Sequence, residues 1–176
     1  SLQQKLDHEG PLSIAEIIEV GGQIAAGLAV AHSQDLIHRD IKPANILIER
    51  ETGRVQITDF GLARAVKESG EMPLGLMSGT PQYMSPEQAS GEEVDLRTDI
   101  WSLGVLLYQM VSGQMPFKGE NDQAVVYSIL KDFPSSLGYI INTLILPSSV
   151  SALFLGEVSV QLVSKINVPI NRIIAF

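Results

Sequence analysis

Three oxygen-bearing side chains sit where they could do chemistry together: Asp40, Asn45 and Asp59. Asp40 and Asn45 share the run His-Arg-Asp-Ile-Lys-Pro-Ala-Asn, and Asp59 follows a short polar turn in Ile-Thr-Asp-Phe-Gly. Two carboxylates and an amide are hard oxygen donors. A small set of them binds a divalent cation while leaving coordination positions open for substrate phosphates. Lys42, two residues past Asp40, adds a cation to the same stretch. The residue types point to metal-assisted phosphate chemistry.

The neighbouring elements have to bring these groups together. Ile46 to Glu49 and Arg54 to Thr58 are short β-rich runs joined by a turn ending in Gly53, which predicts a hairpin. Its open end would hold Asn45 and Asp59 close. Upstream, Pro11 and Ser13 precede a helical pattern from Ile14 to His32, with Ile17, Ile18, Ile24, Leu28 and Val30 at apolar positions. Gly21 and Gly22 weaken it by about 1 kcal/mol each. Residues 62 to 85 show no period and read as a long loop. Ser85 and Pro86 open a short helix to Ala89. Thr98 to Val111 reads as a buried helix around Trp101, Leu103, Val105, Leu106, Leu107 and Met110, and Pro116 stops its extension. Asn121 caps a further helix through Leu130, with Val125, Val126, Ile129 and Leu130 facing inward.

Composition narrows the class. The 176 residues suffice for one domain with a core. Cysteine is absent, which excludes disulfides and thiolate metal sites and fits a reducing, cytoplasmic setting. A formal charge of −8 with no basic run argues against nucleic acid as a partner. Residues 1 to 10 are polar and lack the apolar stretch of a signal peptide, so the start reads like the middle of a protein. Charge falls away after Asp132: residues 133 to 176 carry only Glu157, Lys165 and Arg172. A boundary is expected there, dividing residues 1–132 from an apolar tail, 133–176.

The motif order carries a family resemblance. His38-Arg39-Asp40, Lys42, Asn45 and Asp59-Phe60-Gly61 are followed by Gly79-Thr80-Pro81, Ser85-Pro86-Glu87 and Asp99-Ile100-Trp101-Ser102-Leu103-Gly104. Residues 1 to 132 resemble the C-terminal lobe of a protein kinase, specifically a bacterial-type serine/threonine kinase. The resemblance implies a mainly α-helical, protein-kinase-like lobe with one small β hairpin, and transfer of the ATP γ-phosphate to serine or threonine hydroxyls of protein substrates. It implies that Asp40 is the base, that Asn45 and Asp59 hold Mg2+, and that Lys42 sits near the γ-phosphate. Thr80 would face the substrate near Asp40 and Lys42, Leu47 would floor the adenine pocket, and His38 would pack on Phe60. Asp99 would accept hydrogen bonds from the backbone of the Asp40 loop. Glu87 would seek an arginine, with Arg172 the only one after Arg97. Arg39 would meet a phosphate on the loop, with Ser69 and Ser78 as candidate sites.

Two departures qualify the resemblance. No glycine-rich loop and no strand of the Val-Ala-Ile-Lys type occurs, so the N-terminal, nucleotide-covering lobe is expected to be absent and ATP to bind weakly to this chain alone. The tail does not resemble a kinase. It reads as unrelated sequence, as a membrane span through 137–156 diluted by Asn142 and Pro147, or as a packing segment. A noncatalytic, pseudokinase-like binding module is the alternative function.

Overall fold

The computed structural model describes residues 1–60 and 80–134. The candidate phosphosites Ser69 and Ser78, Gly61, the whole 137–156 stretch and Arg172 lie outside the described residues.

Helix α1 (Leu2–Glu9) opens with Ser1 as N-cap in a reciprocal capping box with Gln4. Only Leu2 and Leu6, one turn apart, are buried. Helix α2 (Ile14–His32) starts from the same device, Ser13 with Glu16. Its buried face runs through Ile17, Val20, Ile24, Ala25 and Leu28. Val30, expected inside, is 61% exposed, because it lies off the side that packs on the next long helix.

A 3-10 turn, Pro43–Asn45, leads into strand β1 (Ile46–Ile48), which pairs antiparallel with β2 (Val55–Ile57). The register sets Ile46 opposite Ile57, Leu47 opposite Gln56 and Ile48 opposite Val55. The ladder is one residue shorter at the turn end than the β-rich runs suggest, since Gly53 bends at a φ of 69°. The hairpin's Ile48, Val55 and Ile57 pack against the core that includes helix α2, and α2 hydrogen-bonds the hairpin through Gln23. Gln23 Nε2 donates to the Gly53 carbonyl at 3.1 Å, and the Val55 N–H donates to Gln23 Oε1 at 2.9 Å.

A second 3-10 turn, Pro81–Tyr83, lies within the stretch expected to be loop. Helices α3 (Pro86–Ser90), α4 (Arg97–Ser112) and α5 (Asp122–Lys131) follow. The main core joins α1, α2 and α4 around Ile24, Leu28, Leu103, Leu106 and Met110, with Ile41 and Ile46 from the Asp40 loop plugged into it. A second cluster, Tyr83, Val105, Phe117, Val125 and Ile129, seats α5, and Trp101 stacks on Phe117 with centroids 5.6 Å apart. Leu130 is 37% exposed rather than inward, because α5 buries only the Val125–Ile129 side.

Helix α2 alone among the described residues has the length and apolar content to cross a membrane. Its apolar face packs against α4 in the core.

Candidate active site

The Asp40 loop is held from below by a buried carboxylate. Asp99, in the first turn of α4 and fully buried, accepts the His38 N–H on Oδ2 at 2.9 Å and the Arg39 N–H on Oδ1 at 2.7 Å. A third bond comes from His32 Nε2, 2.8 Å from Oδ2. A buried charge is tolerated when its lone pairs are taken up in this way.

His38 works as a crosspiece. Its Nδ1 accepts the Asp40 N–H at 3.2 Å, which leaves Nε2 protonated to donate to the Thr58 carbonyl at 2.7 Å. Its ring meets Phe60 edge to face, with centroids 4.6 Å apart. One imidazole therefore ties Asp40 to the strand end that carries Asp59.

Asn45 completes the tie. Its Nδ2 donates to the Asp40 carbonyl at 2.9 Å and to Asp40 Oδ2 at 3.0 Å. Its own carbonyl accepts the Thr58 N–H at 2.9 Å and the Thr58 hydroxyl at 3.2 Å. Lys42 Nζ sits 2.8 Å from the same Asp40 Oδ2. Both donors use one oxygen, so Asp40 Oδ1 has no hydrogen-bond partner among the described residues. The Asn45 side-chain oxygen is likewise without one. Asp59 is exposed, and among the described residues its side chain is held only by the Thr58 hydroxyl, at 3.4 Å.

Backbone strain is concentrated here. Arg39 and Asp59 adopt φ of 70° and 64°, left-handed conformations that cost non-glycine residues about 1–3 kcal/mol unless the surroundings over-determine them. Arg39 Nε is buried with no partner among the described residues.

Asp40, Lys42 and Asn45 are thus in direct contact, and Asp59 is joined to them through Thr58. Thr80 is exposed and lines an open cleft of about 290 Å³ together with Lys42, Ala44, Gln82, Tyr83 and Met115. It shares that cleft with Lys42 but makes no hydrogen bond to Lys42 or Asp40 among the described residues. Leu47, on β1, is 42% exposed. Glu87 forms no ion pair among the described residues; it lies near enough to Arg97 to help hold the guanidinium's proton, after the larger effect of Asp95. Lys5 is on α1, engaged with Glu9 and Glu16.

Sequence reasoning missed His32 and Gln88. His32 gives no local signal, since its partner is 67 residues away. Gln88 Nε2 donates to the Arg39 carbonyl at 2.8 Å. The spacing of Ser85 and Gln88 marks a capping box but not that second bond.

The family model for the protein kinase domain matches residues 1–157. The chain belongs to the protein kinase family. The match continues past Asp132, where the composition changes. Among curated relatives, the chain is 41% identical over 152 residues to the serine/threonine-protein kinase PknA of Corynebacterium glutamicum, covering 86% of this chain and 30% of that protein. It is 40% identical over 136 residues to the serine/threonine-protein kinase PknB of Mycobacterium tuberculosis, covering 76% and 22%. The probable serine/threonine-protein kinase PknB of Lactococcus lactis is 38% identical over 142 residues, covering 81% and 22%. The chain therefore spans between about a fifth and a third of the length of these relatives. Its fold is kinase-like, and the described residues are mainly helical with one two-stranded sheet. Members of the family use ATP and Mg2+.

Proposed function

We propose that this chain carries the phosphoryl-transfer half of a serine/threonine protein kinase: residues 1–132 form the C-terminal lobe, followed by an apolar tail, 133–176. The observation that carries this reading is the double grip of Asn45 on Asp40, which among the described residues leaves one oxygen of each side chain without a hydrogen-bond partner.

The donor set suits magnesium. Asn45 Oδ1 and the Asp59 carboxylate are hard oxygens with little competing engagement among the described residues. Among the described residues no cluster of three His, Cys, Asp or Glu side chains forms a closed cage. Magnesium favours such partial sites, completed by waters and phosphates. When bound, magnesium-ATP supplies the transferable phosphoryl group and neutralises its charge. The chain's own residues do the rest. Asp40 Oδ1 accepts the hydrogen bond of an incoming hydroxyl and takes up its proton. Lys42 holds Oδ2 aside and presents positive charge where the phosphoryl group arrives. Lys42 and Thr80 on one cleft support serine and threonine as acceptors, on protein substrates.

The 176 residues hold no glycine-rich loop or strand lysine to cover the nucleotide, and Leu47 is left open as a pocket floor. Positioning supplies most of this catalysis, so the chain by itself turns over slowly or not at all. Use of ATP would fit a cytoplasmic kinase domain.

The test compares phosphate transfer to serine, threonine and tyrosine peptides by the chain alone and with a kinase N-terminal lobe supplied. Transfer to serine and threonine only with the lobe present, reduced roughly 10²- to 10⁴-fold by Asp40→Asn, is expected. Full turnover by the chain alone, or no effect of Asp40→Asn, contradicts the reading.

A further inference from the structure

We propose that Gln88 is a positioning residue for Asp40: its side-chain amide fixes the peptide unit between Arg39 and Asp40 and couples it to the start of α3. The role assigned to Asp40 rests on the reading above; the coupling itself is geometric.

That peptide unit has two polar ends. Its carbonyl, on Arg39, accepts from Gln88 Nε2 at 2.8 Å. Its N–H, on Asp40, donates to His38 Nδ1 at 3.2 Å. The preceding N–H, on Arg39, is held by Asp99 at 2.7 Å. Arg39 stands at a φ of 70°, a conformation that persists for an arginine only under several simultaneous restraints. Asp99 and His38 supply two of them, and Gln88 the third, from a different part of the chain.

Gln88 has a second duty that explains its identity. Its Oε1 accepts the Ser85 N–H at 3.0 Å, while the Ser85 hydroxyl accepts the Gln88 N–H at 3.3 Å. Such a capping box accepts glutamate as readily as glutamine. Only the amide can accept from Ser85 and donate to Arg39 at once, because a carboxylate has no proton to give. The anchor is firm: Ser85 and Thr98 are both fully buried and their hydroxyls bond each other, tying the cap to α4.

The consequence is a link between the substrate cleft and the base. Thr80, Gln82 and Tyr83 line the cleft immediately before Ser85, and Gln88 reaches from the end of that segment to the peptide that aims Asp40. Losing the donor lets this peptide plane rotate, and the Asp40 carboxylate loses its fixed direction.

The test is amide exchange in the 15N-labelled full chain bearing Gln88→Glu, which keeps the cap acceptor and removes the donor. The Asp40 amide should exchange about fivefold faster, the factor expected from one lost hydrogen bond, while the Ser85 and Ala89 amides keep their protection. Unchanged exchange at Asp40 overturns the proposal. Gln88→Met, which removes both functions, should accelerate exchange at Ser85 and Asp40 together; acceleration at Ser85 alone also overturns it. With an N-terminal lobe supplied, Gln88→Glu should lower kcat and leave the KM for ATP unchanged, which loss of a helix cap would not do. The exchange measurement needs no nucleotide, so its outcome is separate from that of the Asp40→Asn assay.

Discussion

His32 Nε2 lies 2.8 Å from Asp99 Oδ2, joining the last turn of α2 to the first turn of α4 directly beneath the Asp40 loop. The placement suits both ends. A carboxylate in a first helical turn faces the positive end of that helix's dipole, and a donor in a last turn faces the negative end of its own. The pair joins the end of one long helix to the start of another at the point where the His38 and Arg39 amides converge, so one carboxylate serves both the helix contact and the loop's geometry.

Removing that carboxylate should be costly. Asp99→Asn turns one acceptor oxygen into a donor facing N–H groups, and stability should fall by about 3 kcal/mol through unsatisfied buried donors. His32→Leu should cost about 1–2 kcal/mol. His32→Gln, which can still present an N–H, should recover most of the loss. Urea unfolding of the three variants checks the order.

Ile41 separates Asp40 from Lys42 and is fully buried in the main core. Truncating it leaves a cavity under the loop. Ile41→Ala should destabilise the chain by about 2–5 kcal/mol and Ile41→Val by about 1 kcal/mol, read by thermal or urea unfolding. Equal effects would show that the loop does not depend on this plug.

Much of this arrangement is legible in the sequence where the signal is local. The β-branched runs on either side of Gly53 give the hairpin, and the apolar spacing around Leu103 and Leu106 gives α4 to within a residue at each end. Helix α1 is hidden because only Leu2 and Leu6 mark its buried side, in a run that is otherwise polar. The 3-10 turn at Pro81–Tyr83 has no periodicity to detect. Val30 and Leu130 are apolar yet exposed, since composition does not say which part of a helix meets a neighbour. In the site, Asp40, Lys42 and Asn45 are adjacent in sequence and in space. Of the groups that hold their loop, Gln88 and Asp99 reach Arg39 from 49 and 60 residues away, and His32 acts through Asp99, 67 residues from it; of these only Asp99 was visible, through the family resemblance.

Acid should loosen α1 from α2. Lys5 bridges Glu16, 2.9 Å away, and Glu9. Its ammonium, followed by the Ser13 hydroxyl and N–H, pulls the Glu16 carboxyl from the usual 4.5 down to about 2. A carboxyl whose folded pKa is depressed adds stability that is fully present above the ordinary value. That stability is lost as pH falls through the folded one, here between 4.5 and about 2. Both side chains are partly exposed, so the effect should be small and weaken with salt. Unfolding of wild type and Glu16→Gln as a function of pH should differ above that window and converge below it.

Lys42 is partly exposed and its contact with Asp40 is a near-surface ion pair. Lys42→Met should therefore change stability by less than about 1 kcal/mol. With an N-terminal lobe supplied, it should lower phosphate transfer by about a hundredfold, since the role proposed for Lys42 puts its charge at the reacting group. Stability assays and transfer kinetics on the same samples separate the two effects.

The central claim is that Asn45 and Asp59 form one metal site beside Asp40. Paramagnetic broadening by Mn2+ in the presence of ATP, read on the labelled chain, tests it most directly. Signals of Asn45 and Asp59 should broaden first, those of Asp40 next, and Asp59→Asn should abolish the effect at all three. Broadening centred elsewhere, or unaffected by Asp59→Asn, would contradict the account.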